Sequence, residues 1–122
     1  MTKADTRRKA ARLPREIAVA VDAAEDKQAL DLVVLDLRKT GGFTDYFVIC
    51  SGANTRQIRA IADGVLDALA AIGVKPAHIE GYDRSDWVLL DYFDFVVHVF
   101  ARETRLFYGL ERLWGNAERI ER

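Results

Sequence analysis

Apolar residues recur at helical spacing in three stretches of this chain and at strand spacing in five. Leu13, Ile17, Val21 and Ala24 follow one another at about one turn apart, which predicts an amphipathic helix ending near Asp26. Pro14 suits its first turn, where a missing N–H costs nothing. Ile58, Ile61, Ala62, Val65, Leu66, Leu69 and Ile72 form a longer stripe. Asn54 stands as its N-cap, Gln57 occupies the capping-box position, and Gly73 sits where a helix turns left-handed at its end. A third helix is predicted over 103–114, with Leu106, Leu110, Leu113 and Trp114 as its apolar side and Gly115 as its stop.

The strand stretches are 32–37, 46–51, a short one around 78–80, 87–92 and 95–100. They are rich in β-branched and aromatic residues and bounded by turn signals such as Gly41-Gly42. The last two surround a short acidic turn and must pair antiparallel, since so few residues join them. Along them Trp87 and Leu89 point one way, and Val88, Leu90 and Tyr92 the other. Likewise Phe95, Val97 and Val99 oppose Val96, His98 and Phe100. Both faces are therefore apolar, whereas a hairpin with one face in water alternates apolar with polar.

The order α, β, β, α, β, β, β, α predicts an α+β fold: a mixed five-stranded sheet with its helices mainly on one face. The connection through the long helix resembles a right-handed crossover, so the strands before and after it should run parallel. Three helices suffice for one face only. The other face should keep Trp87, Leu89, His98 and Phe100 near the surface, and exposed apolar patches of that kind mark interaction sites.

At 122 residues, 50% hydrophobic and 30% charged, the chain suits one globular domain with a core of its own. It divides into a basic leader (1–13), a domain (14–116) and a charged C-terminal end expected to fray (117–122). The leader carries Lys3, Arg7, Arg8, Lys9 and Arg12 against Asp5, a local charge of +4, so with a total of −1 the remainder holds about −5. A body with that balance is not built as a nucleic-acid binder, although the leader is a candidate for a minor contact with phosphate. No apolar run is long enough to span a bilayer, no secretory signal is visible, and the single cysteine, Cys50, fits a reducing cytoplasm.

Two catalytic readings are weak. A metal-dependent nucleotidyltransferase needs two carboxylates at i and i+2 on a strand. Asp91 and Asp94 are three apart, at a turn, and Ser51-Gly52 lacks the Lys and Thr of a phosphate-binding loop. A Cys50–His98 dyad would need the two to meet across the sheet, and no spacing points to it. A third alternative is a homodimeric interaction module using the apolar face.

Several blocks resemble the ribosomal silencing factors, or Iojap-like family: Asp45-Tyr-Phe-Val-Ile-Cys-Ser-Gly52, Ile58-Arg-Ala-Ile-Ala-Asp63, Glu80-Gly81, Trp87-Val-Leu-Leu-Asp-Tyr92, Val96-Val-His-Val-Phe100 and Tyr108-Gly-Leu-Glu-Arg-Leu-Trp114. They stand in family order over roughly residues 15–115. The resemblance implies a nucleotidyltransferase-like topology without the catalytic acidic pair, and neither enzymatic activity, cofactor nor small-molecule substrate. It implies docking on the large ribosomal subunit through large-subunit protein fourteen at the intersubunit face. Joining with the small subunit would then be blocked and translation repressed when nutrients are scarce. The partner-binding residues expected on this basis are Tyr82, Trp87, Leu89, Asp91, His98 and Phe100. Two positions depart from the family's pattern. Phe93 replaces a glycine common in the hairpin turn, and Gln57 replaces a histidine.

Overall fold

A computed structural model describes residues 13–121, and the rest of the basic leader lies outside the described residues. The chain runs α1 (Arg15–Asp26), β1 (Leu30–Asp36), β2 (Tyr46–Gly52), α2 (Thr55–Ala71), β3 (His78–Glu80), β4 (Trp87–Asp91), β5 (Phe95–Ala101), α3 (Arg102–Tyr108), α4 (Leu110–Leu113) and β6 (Glu118–Glu121).

One mixed sheet takes the order β3-β4-β5-β2-β1-β6. Its parallel pair is β2 with β5, and the other neighbours are antiparallel. The crossover through α2 delivers β3 to the far edge, running in the same direction as β2 but separated from it by β5 and β4. A crossover between strands of one direction takes about a dozen residues or more, usually as a helix. The 17 residues of α2 supply that length.

The α1 and α2 helices pack side by side on one face. Their stripes Ile17, Ala20, Val21, Ala24 and Ile58, Ile61, Ala62, Val65, Leu69 bury against Val34, Val48, Cys50, Val88, Leu90, Val97 and Val99. Leu13, assigned above to the leader, joins this core. Each fully buried Val, Leu or Ile contributes roughly 1.5–3 kcal/mol. The Asn54 carboxamide accepts from the Gln57 backbone N–H at 2.9 Å, the N-cap expected at α2. The Gln57 side chain also donates to the carbonyl of Gln28 at 2.9 Å. Gln57 thus ties the start of α2 to the turn after α1. Gly73 closes α2 with φ +79°, as its position predicted.

Three expectations are corrected. The sheet has six strands, because the end expected to fray pairs with β1 as β6, Val34 facing Ile120 and Asp36 facing Glu118. Ile120 packs on the helix-side core, while its neighbours Glu118 and Arg119 are exposed on a short, charged edge, the pattern that discourages further strand addition. Second, the last helix is broken in two at Gly109, whose φ of +57° ends α3. The break turns Leu110 and Trp114 onto the sheet and leaves Leu106 and Leu113 exposed. Third, the second face is better covered than three helices on the other side would allow. Val33, Leu35, Leu37, Phe47, Ile49, Val96 and Phe100 form a second core there, under Trp87, Leu89, Leu110, Trp114 and Ala117.

Candidate functional site

The second face is laid out in rows set by strand register. Ser51, Phe100 and Trp87 make one row, and Ile49, His98 and Leu89 the next. Trp87 sits on the Phe100 ring, centroids 4.8 Å apart and nearly parallel. Tyr108, at the end of α3, lies against the same indole, tilted, at 4.8 Å. The indole Nε1–H donates to Nδ1 of His98 at 3.1 Å. Phe47 meets His98 edge-on at 4.5 Å, and Trp114 and Phe43 continue the aromatic chain from Phe47 at 6.0 and 6.3 Å. Edge-on and offset contacts of this kind stabilise by about 0.5–1.5 kcal/mol each beyond burial.

His98 is buried, and burial pushes its pKa down to about 3. The ring is therefore neutral. Because Nδ1 accepts from Trp87, its proton sits on Nε2, which has no hydrogen-bond partner among the described residues. The imidazole thus orients the indole.

The expected site residues separate into groups. Trp87 and Leu89 are half-buried on the second face, as their alternation predicted. His98 and Phe100 lie on that face but are fully covered, so the expectation that they sit near the surface is corrected: Trp87 and α3 roof them. Asp91 is half-buried on the same face, and its Oδ1 accepts from the Phe93 N–H at 2.9 Å, closing the hairpin turn. Tyr82 is not brought to the site. It packs on the helix-side core, and its hydroxyl donates to Asp63 on α2 at 2.9 Å. Cys50 and His98 point to opposite faces, which removes the dyad reading, and burial raises the thiol to about 12. Among the described residues no group of three or more His, Cys, Asp or Glu side chains converges as metal ligands would.

Sequence reasoning missed the outward surface itself. Leu106, Phe107, Tyr108 and Leu113 on α3 and α4, with Phe43 from the β1–β2 loop, are all exposed large hydrophobics. The signal was present: Leu106-Phe107-Tyr108 are consecutive, and three adjacent residues fan around a helix so that no single stripe can bury them all. The face thus has an aromatic floor, a half-exposed tryptophan and exposed rings of Phe43, Tyr108 and Phe107 joined to it, an arrangement suited to gripping another macromolecule.

Comparison with known proteins agrees on one family. The family described as "Ribosomal silencing factor during starvation" matches residues 10–122. The ribosomal silencing factor RsfS of Bacillus subtilis is 41% identical over 101 residues, covering 83% of this chain and 86% of that protein. A crystal structure of a protein from Chromobacterium violaceum superposes with a TM-score of 0.79 at 34% identity, covering 82% of this chain and 83% of that one. The mouse protein named "Mitochondrial assembly of ribosomal large subunit protein 1" is 32% identical over 102 residues, 81% of this chain but 45% of its own length.

Proposed function

Since the chain belongs to the ribosomal silencing factor family, we propose that it docks on the large ribosomal subunit through the Trp87 face and represses translation by keeping the small subunit away. The observation that carries this reading is the half-exposed indole of Trp87, fixed from below by Phe100 and His98 and from the side by Tyr108. A tryptophan held in one orientation pays little further entropy on binding, which is what makes an effective anchor. Leu89 and Tyr108 border it, Phe107 lies against Tyr108, and Asp91 supplies a polar edge.

The partner at that face is large-subunit protein fourteen, and steric overlap with the small subunit blocks joining when nutrients are limited. The name of the mouse relative, which refers to the ribosomal large subunit, supports the choice of subunit. The place of action is the cytoplasm, and among the described residues no helix is long and apolar enough to cross a membrane. Neither a catalytic step nor a cofactor enters the reading. The same apolar face would serve a homodimer, which would compete with docking.

Co-sedimentation with purified large and small subunits tests the proposal. The protein should pellet with the large subunit alone and lower the yield of joined ribosomes. Pelleting with neither subunit, or with the small one only, would overturn it.

A further inference from the structure

Beside the aromatic face, between α3, α4, β6 and the entry to β1, lies an open cleft of about 590 Å³. Arginines dominate its walls: Arg102, Arg105, Arg112 and Arg119, against Asp31 and Glu111. Arg105 forms the floor and is nearly covered. Its Nε donates to Glu111 at 2.7 Å, one Nη to the Ser51 hydroxyl at 3.0 Å and the other to the carbonyl of Asp31 at 2.7 Å. Arg119 reaches the second oxygen of Glu111 at 3.3 Å. Glu111 is thus engaged by two guanidinium groups, and its pKa is lowered by the hydrogen bond from Arg105.

Arg102 and Arg112 differ. Both are exposed, and among the described residues neither has an acidic partner at ion-pair distance. The backbone break places Arg112. Its guanidinium lies against the Cα of Gly109, where an added Cβ would come within 2.7 Å of Nη2. Four guanidinium groups against two carboxylates leave the cleft with a charge of +2. Arginines held in place with spare N–H groups favour bidentate recognition of phosphate. The cleft is open to solvent rather than enclosed, so a polyanion can lie across it.

The α3 helix joins this cleft to the aromatic face. Arg105 holds Ser51, while Tyr108, one turn on, leans on Trp87, and Ser51 and Trp87 flank Phe100 in one row of the sheet. The cleft therefore borders the Trp87 face across α3. Resting on the docking reading above, we propose that this cleft grips the phosphodiester backbone of ribosomal RNA beside the protein docking site, with Arg102 and Arg112 as the contacting residues.

The experiment compares the full chain with an Arg102→Ala/Arg112→Ala double variant, whose fold should be intact because both side chains are exposed. One arm measures binding of a fluorescein-labelled ribosomal RNA hairpin by anisotropy at about 50 and about 200 mM salt, a range over which phosphate contacts weaken strongly. The other measures pelleting with large subunits across the same salt range. The double variant should bind the hairpin at least about tenfold more weakly. Its log affinity for the subunit should fall less steeply with log salt, by about 0.9 for each phosphate no longer neutralised. Equal hairpin binding by the two proteins, or a hairpin displaced as well by polyglutamate as by unlabelled RNA, overturns the proposal. Subunit binding with an unchanged salt slope overturns it too, while leaving docking through Trp87 in place. If the original protein never pellets with subunits, the docking reading fails and the hairpin arm alone decides the cleft.

Discussion

The indole N–H of Trp87 points inward, to Nδ1 of the buried His98, and not toward the surface. The outer edge and face of the ring are therefore what a partner meets, and docking there is apolar. Trp87→Ala should weaken large-subunit binding by about 30-fold or more, the loss of roughly 2 kcal/mol typical of an anchoring tryptophan. It should also destabilise the fold by about 2 kcal/mol, because Phe100 and Tyr108 lose their stacking partner and His98 its donor. Trp87→Phe separates the two effects: it keeps an aromatic ring over Phe100 while removing the N–H and part of the indole's area. Its stability should fall by about 1 kcal/mol, with binding closer to that of the original. Subunit pelleting at a temperature where all three proteins are folded checks this. Unchanged binding by Trp87→Ala would make the indole a purely internal residue.

His98 should make the fold acid-sensitive well above the carboxylate range. Its native pKa is lowered to about 3 by burial, while the unfolded chain titrates near the ordinary 6.5. Between these values the unfolded state binds a proton that the native state does not, so stability rises with pH. From about pH 7 down to about pH 5, roughly 2 kcal/mol should be lost through this one group. Asp36 and Glu111 have lowered pKa values, through Arg38 and Arg105 respectively, and their contributions fade only at still lower pH. His98→Gln should flatten the dependence between about pH 5 and 7 in urea denaturation. A dependence that persists in the variant would place its origin elsewhere.

The division of residues between the two faces was legible because strand alternation is local. Val88 and Leu90 could be assigned opposite to Trp87 and Leu89 from the pattern alone, and the register confirms it. How deeply each residue lies was not legible. Phe100 and His98 are covered by Trp87 and by α3 and α4, and where those helices settle depends on a single left-handed residue, Gly109. A stripe counted straight through that glycine places Leu106 and Leu113 inside, where the break puts them outside. Tyr82 belongs to a turn, where no periodicity reports a side, and its position is set by Asp63 on α2. The strand β6 was hidden because Glu118-Arg-Ile-Glu121 has one apolar residue, enough to pack on a core but not to make a pattern.

Phe93 carries a backbone cost that a glycine would not. Its φ is +69°, and the residue is 75% exposed, so little packing offsets the left-handed backbone. The turn is held by Asp91, which accepts from the Phe93 N–H, and by the Thr44 hydroxyl, which donates to the Phe93 carbonyl at 2.7 Å. Phe93→Gly should keep both hydrogen bonds and leave the fold as stable as before or more stable by up to about 1 kcal/mol, even though glycine orders at greater entropic cost. Phe93→Ala keeps the strain and should change stability by less than about 0.5 kcal/mol. Thermal melts of the three proteins test this. A large loss in the alanine variant would show that the ring contributes packing after all.

Gly81 holds the start of β4, and with it Trp87, through backbone contact alone. Its φ is +77°, and a Cβ there would lie 2.0 Å from the carbonyl oxygen of Trp87. Gly73 has almost the same φ, +79°, with nothing within 4 Å. Gly73→Ala should therefore lose only the left-handed penalty of about 1–2 kcal/mol. Gly81→Ala must in addition displace a strand backbone. It should cost several kcal/mol and shift Trp87 away from Phe100 and His98, so that subunit binding weakens even under conditions where the protein stays folded. Urea denaturation of both variants, with pelleting below the unfolding transition, gives the comparison. Equal losses at the two glycines would mean that β4 yields at its first residue, and the orientation of Trp87 would then have to come from His98 and Tyr108 alone.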